Sequence, residues 1–214
     1  YNGHTAMSIF HSDIATEGRD DITDNSNLLS NYDITLCDNK FPYYLGYSTT
    51  NSIKTVLYSC NVSYVTQIPY SNICWAATIA CISNYLNSTS LTAVSVAQSY
   101  LGTTNFNSFI NAYTAEYILN SYYNILYTYY NSVPNYTKLI NNISYGYPMF
   151  GIFYTGYLSH ACTIYGVNVS SCCIFVMDPL YGAAVSYSDL SGNFTYVSSY
   201  SGDTLTLVGS ISRI

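Results

Sequence analysis

The chain has 214 residues, a formal net charge of −6, and only 7% charged residues against 49% hydrophobic ones. That length suits one compact domain with a substantial core and an appendage. The five Lys plus Arg are scattered singly and leave no basic patch to neutralise phosphates, which argues against nucleic acid as a partner.

In place of charges the surface must be built from Tyr, Asn and Ser, with 27 tyrosines in all. Aromatic, hydroxyl-rich surfaces are commoner outside cells, which makes a secreted or cell-surface location the expectation, although an AT-rich genome would produce the same bias. No stretch reads as a signal peptide, since Tyr1-Asn2-Gly3-His4 offers no basic region ahead of an apolar core.

Along the chain, charge is distributed unevenly. Seven of the eleven acidic residues (Asp13, Glu17, Asp20, Asp21, Asp24, Asp33 and Asp38) fall in the first 38. The polar cluster from Glu17 to Asn31 lacks periodicity and reads as loop or leader. Residues 1–54 are therefore expected to be an N-terminal extension, a leader or prosegment, and residues 55–214 the folded domain. Within the extension, the part after residue 40 looks more like domain, with Phe41–Tyr44 and Ile53–Val65 adding strands at a sheet edge.

The run from Ile73 to Leu86 is apolar enough to be a buried helix, and Cys74 stands at its start. Ser90 is placed to cap a second helix, Leu91–Leu101. A third is expected over Phe106–Tyr122, where Phe109, Ile110, Tyr113, Tyr117 and Ile118 recur at three and four. A short strand, Ile125–Tyr130, follows. Pro134 then opens a helix that Gly146 ends. Strands are expected at Met149–Tyr154, His160–Val169, Cys173–Met177, Ala183–Tyr187 and Thr204–Ser212. The uncharged run Met149–Val169 is long enough to span a bilayer, but its polar residues and the turn around Thr155-Gly156 favour two buried strands and no membrane span. Helices first and antiparallel strands afterwards make an α+β domain, with an active site in the cleft between the halves.

The chemistry starts from Cys74. The first N–H groups of a helix lack partners and carry partial positive charge, so a cysteine there is pushed toward thiolate, the nucleophilic form. A nucleophile needs a base, an orienter for the base and a donor for the developing oxyanion. His160, the only histidine after His11, supplies the base. Asp178 lies about one hairpin further on, beside His160 if the two strands are neighbours. Gln67 precedes Cys74 by seven residues and supplies the side-chain donor.

Each of these residues has a plainer reading. A buried cysteine is ordinarily a small hydrophobe, a lone histidine on an apolar strand is ordinarily a satisfied core residue, and Gln67 alone is a loop residue. Asp178 fits the plain reading worst, because four apolar residues precede it and an unpaired carboxylate there is costly. A zinc site from Cys74, His160, Cys162 and Cys173 lacks the close cysteine pairs such sites use, so no metal is expected. Cys81 shares a helix face with Cys74 and reads as core. Cys37 and Cys60 could pair, which would leave one of seven thiols over. The pairing of Cys37, Cys60, Cys81, Cys162, Cys172 and Cys173 stays open.

Taken together, Gln67, Cys74-Trp75, Ser159-His160-Ala161 with Tyr165-Gly166, and Asp178-Pro179 resemble the papain-like cysteine peptidases. The closest likeness is to the compact bacterial branch of leader peptidases and staphopain-like enzymes. Ser71-Asn72-Ile73 precedes Cys74 and His160 follows it by 86 residues, whereas the plant and lysosomal signature is C-G-[SA]-C-[WY] with histidine about 130–150 downstream; this points away from that branch. The resemblance implies a Cys74–His160–Asp178 triad with Gln67 and the Cys74 N–H at the oxyanion, and Trp75 packing the helix start. It also implies a peptide or protein substrate, no cofactor, and a monomer. Two alternatives are an amidase, deamidase or transpeptidase on the same chemistry, and a non-catalytic binding module whose Tyr-rich surface does the work.

Overall fold

The computed structural model describes residues 57–188, 193–198 and 202–213. The expectations for residues 1–54, including strand Phe41–Tyr44 and any bond from Cys37, lie outside that range. Helix α1, Cys74–Asn87, follows from a sequence with no polar stripe: every residue from Cys74 to Ser83 is buried, so it is covered on all sides. Helix α2, Ala93–Leu101, begins later than expected, because Thr92 rather than Ser90 is the cap and forms a capping box with Ser95. Helix α3, Ala112–Tyr123, likewise starts where Asn111 accepts the Thr114 N–H. The preceding residues 106–110 are not helical: Phe106 packs edge-on against Tyr70, with ring centroids 4.9 Å apart. Helix α4, Tyr136–Ser144, is capped by Asn135 and stops before Gly146, whose φ of +80° suits glycine.

The strands are β1 Leu57–Ser59, β2 Thr128–Tyr130, β3 Met149–Tyr154, β4 Ser159–Asn168, β5 Cys173–Asp178, β6 Gly182–Ser188, β7 Phe194–Val197 and β8 Thr204–Ser212. Strand β7 was not anticipated. All pairings are antiparallel, in the order β1-β4-β3-β8-β7-β6-β5, and β4 also pairs with β5. That pairing closes β3, β4, β5, β6, β7 and β8 into a six-stranded ring. β1 continues the β4 edge beyond β3, with Ser59 opposite Gly166, and β2 borders β8. Gly166 is required where β1, β4 and β5 crowd together, since a Cβ there would come within 2.7 Å of the Phe175 ring.

Two cores result. One fills the ring and its contact with α4, around Phe153, Cys162, Ile174, Phe194 and Leu207. The other joins α1, α2 and α3 to β3, β4 and β8 through Phe150, Ala161 and Ile211. The uncharged run Met149–Val169 forms the β3–β4 hairpin, paired from Met149↔Ile164 to Tyr154↔Ser159. No helix among the described residues is long and apolar enough to cross a membrane.

Candidate active site

The site lies where the N-terminus of α1 meets the start of β4. The N-cap of α1 is Ile73, which offers no side-chain acceptor, so the first-turn N–H groups are not consumed by a cap. Ile73 is fully buried and serves instead to seat the helix start in the core. Cys74 is only 8% exposed. Burial pushes its thiol up, but a hydrogen bond and charge from His160, with the N–H groups of Ala161 and Trp75, more than reverse this, so its pKa lies below the ordinary thiol value. That is the direction expected of a cysteine at this position.

His160 is the second residue of β4, and Asp178 is the last residue of β5, two strands that pair directly through Thr163↔Met177. The imidazole Nε2 and the Asp178 Oδ1 are 2.8 Å apart. With Nε2 committed to the carboxylate, Nδ1 is the nitrogen left for the thiol. Asp178 is buried, and burial would raise its pKa; the His160 contact, the Leu180 N–H at 2.8 Å and the Tyr196 hydroxyl at 2.8 Å hold it below the usual carboxylate range. Burial works against a charged His160, yet the Cys162 sulfur, Asp178 and Cys74 together raise its pKa well above the ordinary histidine value. Burial also pushes the Cys162 thiol up. With the Cys162 thiol pushed up in this way, the Asp178 carboxylate, bonded directly to the ring, is the firmer support for a charged imidazole.

Gln67 is buried on the lead-in to α1, and its backbone N–H donates to the Pro179 carbonyl at 3.0 Å. Its side-chain Nε2 donates to the carbonyls of Tyr70 at 3.0 Å and Ser71 at 3.2 Å, while Oε1 is buried without a hydrogen-bond partner. Gln67 is not among the residues lining the cleft over Cys74. That cleft, about 540 Å³, is walled by Trp75, Phe109, Ile110, Tyr129, Ile152, Tyr157, Leu158 and Val208, with Cys74 and His160 at its base. Trp75 does more than pack: its Nε1 donates to the Ser108 carbonyl at 2.9 Å, and the Asn72 N–H donates to Asn107 Oδ1 at 3.0 Å, so the wall before α3 is tied to the start of α1.

His160, Cys162 and Asp178 bring nitrogen, sulfur and oxygen donors within 4.8 Å of one another. Cys173 does not join them; it starts β5, opposite Asn168, at the other end of the strand from Asp178. Cys60, Cys74, Cys81, Cys162, Cys172 and Cys173 are all free thiols and all buried. From the sequence alone, Cys162 enters the site only as a zinc ligand and Tyr196 has no role. Cys162 was visible in principle, because two residues after His160 on a strand shares its face. Tyr196 had no such cue, since its strand was not foreseen.

A helical half that presents a thiol at a helix N-terminus to a histidine and aspartate on an antiparallel sheet is the arrangement of a papain-like cysteine peptidase. Over residues 56–191 the sequence matches the family described as papain-like cysteine protease AvrRpt2, and the chain belongs to that family. No curated protein matches it.

Proposed function

We propose that the protein is a cysteine-type endopeptidase working through a Cys74–His160–Asp178 triad. The observation that carries this reading is the 2.8 Å bond between His160 and Asp178 directly beside a thiol whose pKa is lowered. In this mechanism the Cys74 thiolate attacks the scissile carbonyl and the carbonyl oxygen becomes an oxyanion. The imidazolium of His160 then gives its proton to the leaving amine, leaving an acyl-enzyme. Neutral His160 next takes a proton from water, whose oxygen attacks the thioester; collapse releases the acid and regenerates the thiolate–imidazolium pair. Asp178 holds the ring so that one nitrogen always faces the sulfur.

The oxyanion donors in this reading are the Cys74 N–H and the Gln67 amide. Support for Gln67 is its place on the buried lead-in to α1, seven residues before Cys74, and its buried Oε1 without a hydrogen-bond partner. For the role, one Nε2 hydrogen must turn from the carbonyls of Tyr70 and Ser71 toward the substrate.

Among the described residues, those lining the cleft include no Asp, Glu, Lys or Arg, which favours peptides with apolar side chains next to the scissile bond. The acidic first 38 residues suit a prosegment, and the tyrosine-rich composition suits an extracellular monomer. Digestion of a peptide library by wild type and by Cys74→Ala tests the reading. Cleavage by wild type only, enriched for apolar residues beside the cut, is expected; equal cleavage by both proteins overturns it.

A further inference from the structure

Asp178 has two carboxylate oxygens, and they are held differently. Oδ1 receives both His160 Nε2 and the Leu180 N–H. Two donors on one oxygen leave the group free to swing about that oxygen, because the terminal torsion of an aspartate is broad and does not fix the plane by itself. The other oxygen, Oδ2, is held by the Tyr196 hydroxyl at 2.8 Å. Tyr196 stands on β7, three strands from β4 in either direction round the ring, so its hydroxyl reaches the couple from the opposite wall. Its ring is buried and clamped edge-on against Phe153, with centroids 5.3 Å apart.

The direction of each hydrogen follows from the inventory of donors. An ionised carboxylate can only accept, so the single hydroxyl proton of Tyr196 goes to Asp178. Cys162 Sγ lies 3.2 Å from the same hydroxyl oxygen and must therefore donate to it. This gives a chain from the Cys162 thiol through Tyr196 to Asp178, and onward to His160 and Cys74. It also accounts for a second thiol so near the imidazole, since a sulfur that spends its proton on Tyr196 is not a rival nucleophile.

We propose that Tyr196 is a positioning residue for the catalytic couple: its hydroxyl, held from behind by the Cys162 thiol, fixes the plane of the Asp178 carboxylate and so aims His160 at Cys74. This rests on the peptidase reading of the same site.

The test combines peptide cleavage with the pH dependence of Cys74 alkylation by iodoacetamide, which reports the thiolate–imidazolium pair without any substrate. Tyr196→Phe removes only the hydroxyl. It is expected to lower kcat by about 10- to 100-fold at unchanged KM, less than the ~10⁴-fold available when an orienting carboxylate is itself replaced. The acid limb of both cleavage and alkylation should move to higher pH, because a donor that stabilises the charged carboxylate is gone. In an Asp178→Asn background the same substitution should change neither quantity further. An unchanged acid limb in Tyr196→Phe, or an equal loss in both backgrounds, overturns the proposal. If Tyr196→Phe does not fold, Cys162→Ala carries the test, with a smaller shift in the same direction expected and an unchanged profile refuting it. Loss of the alkylation shift would count against Tyr196, whereas failure of wild type to cleave peptides while the shift persists would count against the peptidase reading alone.

Discussion

Asp178 receives three donors from three parts of the fold, and its ionisation links the site to pH. A carboxyl whose pKa is lowered by folding contributes stability that is present above its ordinary value near 4 and is lost as pH falls through the lowered one. A histidine whose pKa is raised contributes below its ordinary value near 6.5 and loses that contribution as pH rises through the raised one. The couple is therefore intact across neutral pH and weakens at both extremes. Asp178→Ala removes the carboxylate, so the alkaline limb of kcat/KM, set by His160, should move down in pH while kcat falls by about 10- to 10⁴-fold; a pH–rate profile that keeps its alkaline limb would show that Asp178 does not hold the imidazolium. Gln67→Ala should lower kcat by about 10²-fold with little change in KM, as befits a donor used in the transition state. Steady-state kinetics decide, and an effect confined to KM would make Gln67 a substrate contact. At this scale the sequence disclosed candidates, of which the fold brings Cys74, His160 and Asp178 together, but not where side chains point. Gln67 was identifiable by its place before Cys74, yet the direction of its amide depends on the Tyr70 and Ser71 carbonyls, which only the folded loop brings to it.

Elements were legible where one physical cause acted alone. The α1 run is apolar throughout, and β3 and β8 begin and end where alternation and flanking turns place them. Boundaries slipped where two caps competed, as with Thr92 against Ser90, and where apolar spacing continued past the true helix start, as before Asn111. Strand β7 escaped notice because four residues, Phe194–Val197, are too few to show a period. Asn111 both caps α3 and stands on the cleft wall, so one substitution probes stability and binding together. Asn111→Ala should cost about 1 kcal/mol of stability, read from the urea midpoint, and should raise KM on apolar peptides more than it lowers kcat. A midpoint identical to wild type would show that the cap contributes nothing to the fold.

At the scale of the whole molecule, the helices-then-strands order in the sequence was enough to indicate two halves with a cleft between them. It could not reveal that the sheet closes, because closure depends on β4 pairing with both β3 and β5, a fact of geometry rather than of local pattern. The halves are joined by the lead-in to α1, where the Tyr64 hydroxyl at 2.9 Å and the Gln67 N–H at 3.0 Å both reach the Pro179 carbonyl just past Asp178. Residues 1–38 come before this junction, so their deletion should leave a folded protein with equal or greater activity on small peptides. Loss of a cooperative melt in the deletion protein would make the segment part of the fold and remove its inhibitory role.

The closed ring also has a consequence in time. Its last seam joins β3 to β8 through partners as far apart as Phe150 and Ile211, and contacts so distant along a chain form slowly because the entropy of closing the loop is lost before the ladder repays it. Cys74, His160 and Asp178 all precede β8 in the chain, so a growing chain carries the proposed nucleophile, base and orienter while the seam is still open. Until β8 arrives, β3 and β7 expose unpaired edges, the kind of surface that recruits other chains. In the proposed mechanism, the last described strand thus separates possession of the triad residues from completion of the ring that holds them.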